Sequence, residues 1–144
     1  MSDTAEELRQ RAYQARRDGR LDDAKRHYQE AAKLYRADGD VLRLAHTIRH
    51  LGDIHRGEGH PELAGPCYEE ALALYRGHEH TPPLDLANTL RGYGILEHDT
   101  GNLAHAKALW EEARDLYAAV DVQPGVAEGN RRLDLIVQSL GTAE

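Results

Sequence analysis

One segment occurs three times in this chain. GRLDDAKRHYQEAAKLY starts at Gly19, GHPELAGPCYEEALALY at Gly59 and GNLAHAKALWEEARDLY at Gly101. Ala24, Ala64 and Ala106 share one place in the copies, and Tyr28, Tyr68 and Trp110 a second. Ala31, Ala71 and Ala113 share a third, and each copy ends on Leu-Tyr, at 34/35, 74/75 and 116/117. The glycines lie 40 residues apart (59 minus 19) and then 42 (101 minus 59). Self-similarity at such a period is the mark of a stacked array, in which each unit buries its apolar face against a neighbour.

Inside each copy the apolar residues have helical spacing: Leu21, Ala24, Tyr28, Ala31, Leu34 and Tyr35 line one stripe. The segment before each glycine has the same period, through Leu8, Ala12 and Ala15, then Ile48, Leu51, Gly52 and His55, then Leu90, Tyr93, Gly94 and Glu97. Each unit is therefore expected to be a helix pair that turns at its glycine, where a residue without Cβ ends a helix in the left-handed conformation at no steric cost. Pro61 follows the second turn, a place that suits the first turn of a helix. RADGD and RGHEHTPP read as loops. The spacing predicts a seventh helix from about Val126 to Leu140, with Val126, Leu133, Ile136, Val137 and Leu140 as the face that caps the array. The expected organisation is a single domain over residues 1–144, with repeats at about 3–38, 41–78 and 83–120 and a capping helix at about 125–140.

Small residues where helices cross, an aromatic on the second helix and a glycine at the turn resemble the tetratricopeptide repeat, whose consensus runs W-x2-L-G-x2-Y, A-x3-F, A. Ile48, Leu51, Gly52, His55, Ala64, Tyr68 and Ala71 match it best. Leu90, Tyr93, Gly94, Glu97, Ala106, Trp110 and Ala113 form the third unit; Leu8, Arg11, Ala12, Ala15, Ala24, Tyr28 and Ala31 form a weaker first. The period exceeds the usual length of about 34 residues and looks like the longer-helix subclass of kinesin light chain and many bacterial regulatory proteins. The resemblance covers about Asp3 to Leu140. It implies an all-α solenoid of three helix-turn-helix units plus the capping helix, seven helices in a right-handed superhelix. It also implies a non-enzymatic module that binds a peptide or partner protein in a concave groove lined by the first helix of each pair.

On that inner face Arg9, Arg49 and Arg91 lie three residues before Ala12, Gly52 and Gly94, and Arg131 three before Asp134. Stacked units would set the four guanidinium groups in a row, suited to bidentate capture of carboxylate and hence to an acidic partner segment. The alternative is that each pairs with a neighbouring acid such as Asp53, Asp85, Glu97 or Glu128 and organises the stack. Tyr13, His46, His50, Asp53, Asn88 and His98 are the helical neighbours expected to join the arginines as partner-binding residues. Related families carry an Asn where His50 and Gly92 stand, so an asparagine ladder is absent. Of the dicarboxylate clamp of chaperone-tail binders only Arg9 is a fair substitute among Arg9, Tyr13, His50, Asn88 and Gly92.

Other chemistry is poorly supported. His46 and His50, four apart, with Asp53 three further on, have spacing that suits a metal ion, but Thr47 stands where a metalloprotease helix needs Glu. His55 is rotated off that face, and His78 and His80 lie in a loop. Cys67 has no partner cysteine and suits a reducing cytoplasm, the expected compartment. No phosphate-cradling loop is present, and the only serines, Ser2 and Ser139, stand near the termini. A net charge of −7, from 18 Lys+Arg against 25 Asp+Glu, disfavours general nucleic-acid affinity. MSDTAEEL has no signal-like pattern, and no run approaches a membrane span. No catalytic residue, cofactor or metal is assigned. The rival readings are a homodimeric scaffold and a small-ligand or metal-responsive regulator using His46, His50 and Asp53.

Overall fold

The computed structural model describes residues 3–142. Their regular elements are α1 (Ala5–Arg17), α2 (Leu21–Asp38), α3 (Val41–Gly57), α4 (Pro61–Arg76), α5 (Pro83–Asp99), α6 (Leu103–Ala119) and α7 (Gln123–Thr142). The chain divides after Glu79 into an N-terminal unit, α1 to α4, and a C-terminal unit, α5 to α7.

The expected turns are built alike. Gly19, Gly59 and Gly101 have φ of 78°, 79° and 87°. The next amide donates back into the helix just ended: Arg20 to Ala15 O at 2.8 Å, His60 to His55 O at 2.9 Å, and Asn102 to Glu97 O at 2.8 Å. Each bond satisfies a carbonyl that a helix end leaves open. Asp121, with φ of 58°, holds the corresponding place between α6 and α7, where Val122 N–H reaches Tyr117 O at 2.9 Å.

In the N-terminal unit α1 pairs with α2, α2 with α3, and α3 with α4. One core patch joins Leu8, Ala31, Ala32, Tyr35, Leu44, Ile48 and Ala71, and another joins Ala12, Ala15, Ala24, Tyr28, Leu51 and Ile54. Leu34, expected in the α2 stripe, is exposed, and Ala32 is buried in its stead. The three turns of helix between Ala24 and Tyr35 put position 32, not 34, against α3 and α4.

In the C-terminal unit Trp110 of α6 is fully buried against the bare backbone of Gly94 in α5. The capping helix begins at Gln123, earlier than expected, because Pro124 suits its first turn. Leu133 and Ile136 are buried, whereas Val137, expected on the same face, is 51 % exposed. Contacts of Arg132 complete that packing: its guanidinium lies 5.7 Å over the Trp110 ring and donates to Nδ1 of His98 at 3.1 Å. The Tyr117 ring rests on Gly125, where an added Cβ would meet ring carbons at 2.6 and 2.7 Å. Gly125→Ala should therefore destabilise by about 1–2 kcal/mol despite the better helix propensity of Ala, measured as a lower denaturant midpoint.

Candidate binding face

Within the N-terminal unit, α1 and α3 present their polar stripes on either side of a tyrosine from α2. The Tyr28 ring is buried and stacks on His50, with centroids 5.7 Å apart and planes 6° from parallel. His50 Nε2 lies 3.3 Å from His46 Nε2, so one ring donates and the other accepts. Tyr13 is exposed on α1, with the Arg17 guanidinium 5.9 Å from its ring centre.

Positive charge dominates this place. Burial raises the Tyr28 pKa above its ordinary value, and Arg16, Arg9 and Arg49 pull it back. Burial also pushes His50 down to about 2, reinforced by Arg49, His46, Arg16 and Arg9. An imidazole so placed stays neutral in the folded chain, while in the unfolded chain it takes a proton below pH 6.5. Its stabilising contribution is thus present at neutral pH and lost as pH falls. Between pH 7 and pH 5 this group should cost about 1–2 kcal/mol; His50→Gln should show a correspondingly smaller drop in denaturant midpoint over that range.

The arginines differ in what they have left to offer. Arg9 is ion-paired with Glu6, which also accepts from the Tyr35 hydroxyl at 2.9 Å. The Arg9 and Tyr35 hydrogen bonds hold the Glu6 carboxyl below its ordinary pKa. Arg49 donates one N–H to Asp53 at 2.9 Å, and its Nε is buried without an acceptor. Arg16, half-buried at the end of the same α1 stripe, has no ion-pair partner among the described residues.

Asp53 is not on this face. It is 9 % exposed and accepts from the Tyr68 hydroxyl of α4 at 2.5 Å, while Arg56 donates to that hydroxyl at 3.0 Å. Position 53 turns toward α4, where its carboxylate completes a buried Arg49–Asp53–Tyr68–Arg56 network. The His46, His50 and Asp53 trio suggested by spacing is accordingly not assembled, and the cations around His50 oppose a further positive ion there.

The C-terminal unit uses its inner-face residues differently. Arg91 of α5 makes a two-pronged pair with Glu128 of α7, with Nη2 to Oε2 at 3.1 Å. Arg91 holds the Glu128 carboxyl below its ordinary pKa. Asn88 Oδ1 accepts from the Tyr117 hydroxyl at 2.6 Å. His98 is held by Arg132, and Arg131 is exposed on α7.

Sequence reasoning missed Arg16, although a signal was there. Arg9, Tyr13 and Arg16 stand four and seven residues along one helix, the spacing of a single stripe. In register with the repeat, position 16 continues as Arg56 and His98. Those two are consumed by internal bonds, and Arg16 is not.

Comparison with known proteins agrees with this architecture. A family model described as tetratricopeptide repeat matches residues 3–77. No curated protein matches the chain. Among solved structures, the crystal structure of BtubC (BKLC) from P. vanneervenii superposes with a TM-score of 0.74 at 23 % identity, over 81 % of this chain and 48 % of that one. The chain thus spans about half the length of that protein, and the likeness is one of fold. No helix among the described residues is long and apolar enough to cross a membrane.

Proposed function

The chain belongs to the tetratricopeptide repeat family, whose members generally mediate protein–protein interactions, and we propose that this one binds an acidic segment of a partner protein on the α1–α3 face of its N-terminal unit. The observation that carries the reading is the Arg16 guanidinium. It lies without an acid of its own beside two arginines whose charges are already met. An unpaired half-buried cation is costly to keep in the free chain and gains most from an incoming carboxylate.

In this reading Arg16 makes the new charge-assisted bond, and Arg49 and Arg9 add field. Tyr13 and His46 supply flat and polar contact surface around it, over a floor of Tyr28 and His50. The module performs no chemistry; it holds a partner. Arg91 and Arg131 fall outside the binding face, since Arg91 spends its guanidinium on Glu128. The cations around His50 count against the metal-responsive alternative.

The test is charge reversal at the unpaired cation. Arg16→Glu should abolish capture of partners from extract of the source cells while leaving helicity and the unfolding midpoint close to those of the parent. Unimpaired capture would sink the proposal.

A further inference from the structure

Helix α7 is covered on one side only. Gly125, Gly129, Leu133 and Ile136 are buried, and α7 packs on α6. The opposite side is exposed at Ala127, Arg131, Asp134, Leu135 and Gln138, whose helical spacing makes one stripe. We infer that this stripe docks a second copy of the chain, the two α7 helices antiparallel and Arg131 of each copy paired with Asp134 of the other.

The charges of the stripe are unmet within the chain. Neither Arg131 nor Asp134 is ion-paired or hydrogen-bonded among the described residues. Glu128, three residues before Arg131, is held by Arg91. Arg132 turns the other way, to Trp110, His98 and Asp99. One cation and one anion, three residues apart on the same helix face, therefore point outward together.

That arrangement is self-complementary. An antiparallel copy, related by a two-fold axis midway between the two charges, brings its Asp134 to Arg131 and its Arg131 to Asp134 at once. A parallel copy would set like charge on like. The same register makes use of Leu135, which is 52 % exposed. It meets the turn of the other copy that holds Ala127 and Arg131, where the alanine leaves room and the arginine stem covers the leucine.

The inference uses no residue of the α1–α3 face, and Arg16→Glu should leave the dimer unchanged. Sedimentation velocity of the intact chain, from about 10 µM to about 1 mM, should show reversible association in the weak range expected of a small interface. By two-fold symmetry one reversal installs two like-charge contacts. Arg131→Asp and Asp134→Arg should thus each weaken the dimer roughly tenfold or more. An equimolar mixture of the two single variants should form a heterodimer about as tight as the parent dimer, because each chain then offers the other the opposite charge at both positions. The double swap R131D/D134R should regain self-association to within about threefold. All these positions are exposed, so every variant should keep the parental helicity. Benzophenone at position 135 should link the purified chain to itself, in a product of twice its mass. A chain that stays monomeric at the highest concentration, a dimer indifferent to both reversals, or single variants that fail to associate on mixing would overturn the proposal.

Discussion

Trp110→Ala is expected to lower the stability of the C-terminal unit by about 3–5 kcal/mol. Trp110 is fully buried and is the only tryptophan of the chain. Its indole lies flush against Gly94, where an added Cβ would come within 2.8 Å of Nε1 and 2.9 Å of Cδ1. Neither helix backbone can move in to fill a cavity of that size without losing its other contacts. The indole nitrogen has no hydrogen-bond acceptor, so truncation removes packing alone, with no buried acceptor stranded in compensation. The Arg132 guanidinium also loses the ring it covers, at a further cost of up to about 1 kcal/mol. The unfolding midpoint should fall by roughly 10 °C or more, followed by far-ultraviolet circular dichroism. Hydrogen exchange should locate the loss of protection in α5, α6 and α7. Trp110→Phe, which keeps most of the volume, should recover over half of the loss.

Arg16→Glu should weaken partner binding by roughly 10- to 100-fold, the value of one charge-assisted hydrogen bond, and add like-charge repulsion to it. Its effect on folding should be small, within about 0.5 kcal/mol, because no acid among the described residues is ion-paired with Arg16. Arg49→Glu is the instructive contrast. The Arg49 and Asp53 side chains are only 15 % and 10 % exposed, and reversal would set two carboxylates together beside the Tyr68 hydroxyl. Breaking a buried pair in that way costs about 3–5 kcal/mol, so lost binding in that variant would be inseparable from lost structure. Binding to the parent should also fall with added salt, as expected where charge draws the partner in.

The fold was legible because the repeat is written in residue size. Ala24, Ala64 and Ala106, with Gly19, Gly59 and Gly101, have no substitute that lets helices cross or turn so tightly, and each recurs in register. The end of the array was less legible. Past Leu140 and before Val126 the apolar spacing stops, but the helix continues on Pro124 at its start and on backbone bonds that need no apolar residue. Val137 shows the same limit: spacing placed it on the capping face, but it is exposed, because Leu133 and Ile136 carry the packing of α7.

The candidate face was half legible. Arg9, Arg49, Arg91 and Arg131 recur in register in the sequence, yet the first three each have an acid within reach: Glu6, Asp53 and Glu128. Two of these acids were among the neighbours foreseen, but whether such a pair closes depends on side-chain direction, which repeat spacing does not carry. Asp53 was misplaced for the same reason. A carboxylate at position 53 suits either face by spacing, and the Tyr68 hydroxyl, fifteen residues away, decides for the interior. Arg16 was not legible, because its meaning lies in the internal bonds of its counterparts Arg56 and His98, which repeat spacing does not carry.

The most direct test of the N-terminal face is a photo-crosslinking amino acid carrying benzophenone, placed at position 13 on α1 and, as controls, at the exposed positions 63 on α4 and 135 on α7. After irradiation in extract of the source cells, position 13 should yield a discrete crosslinked partner whose attached peptide is rich in Asp or Glu, and Arg16→Glu in the same chain should remove it. Crosslinks at position 63 or 135 with none at 13, or a product at 13 that persists in the Arg16→Glu chain, would contradict the assignment of this face.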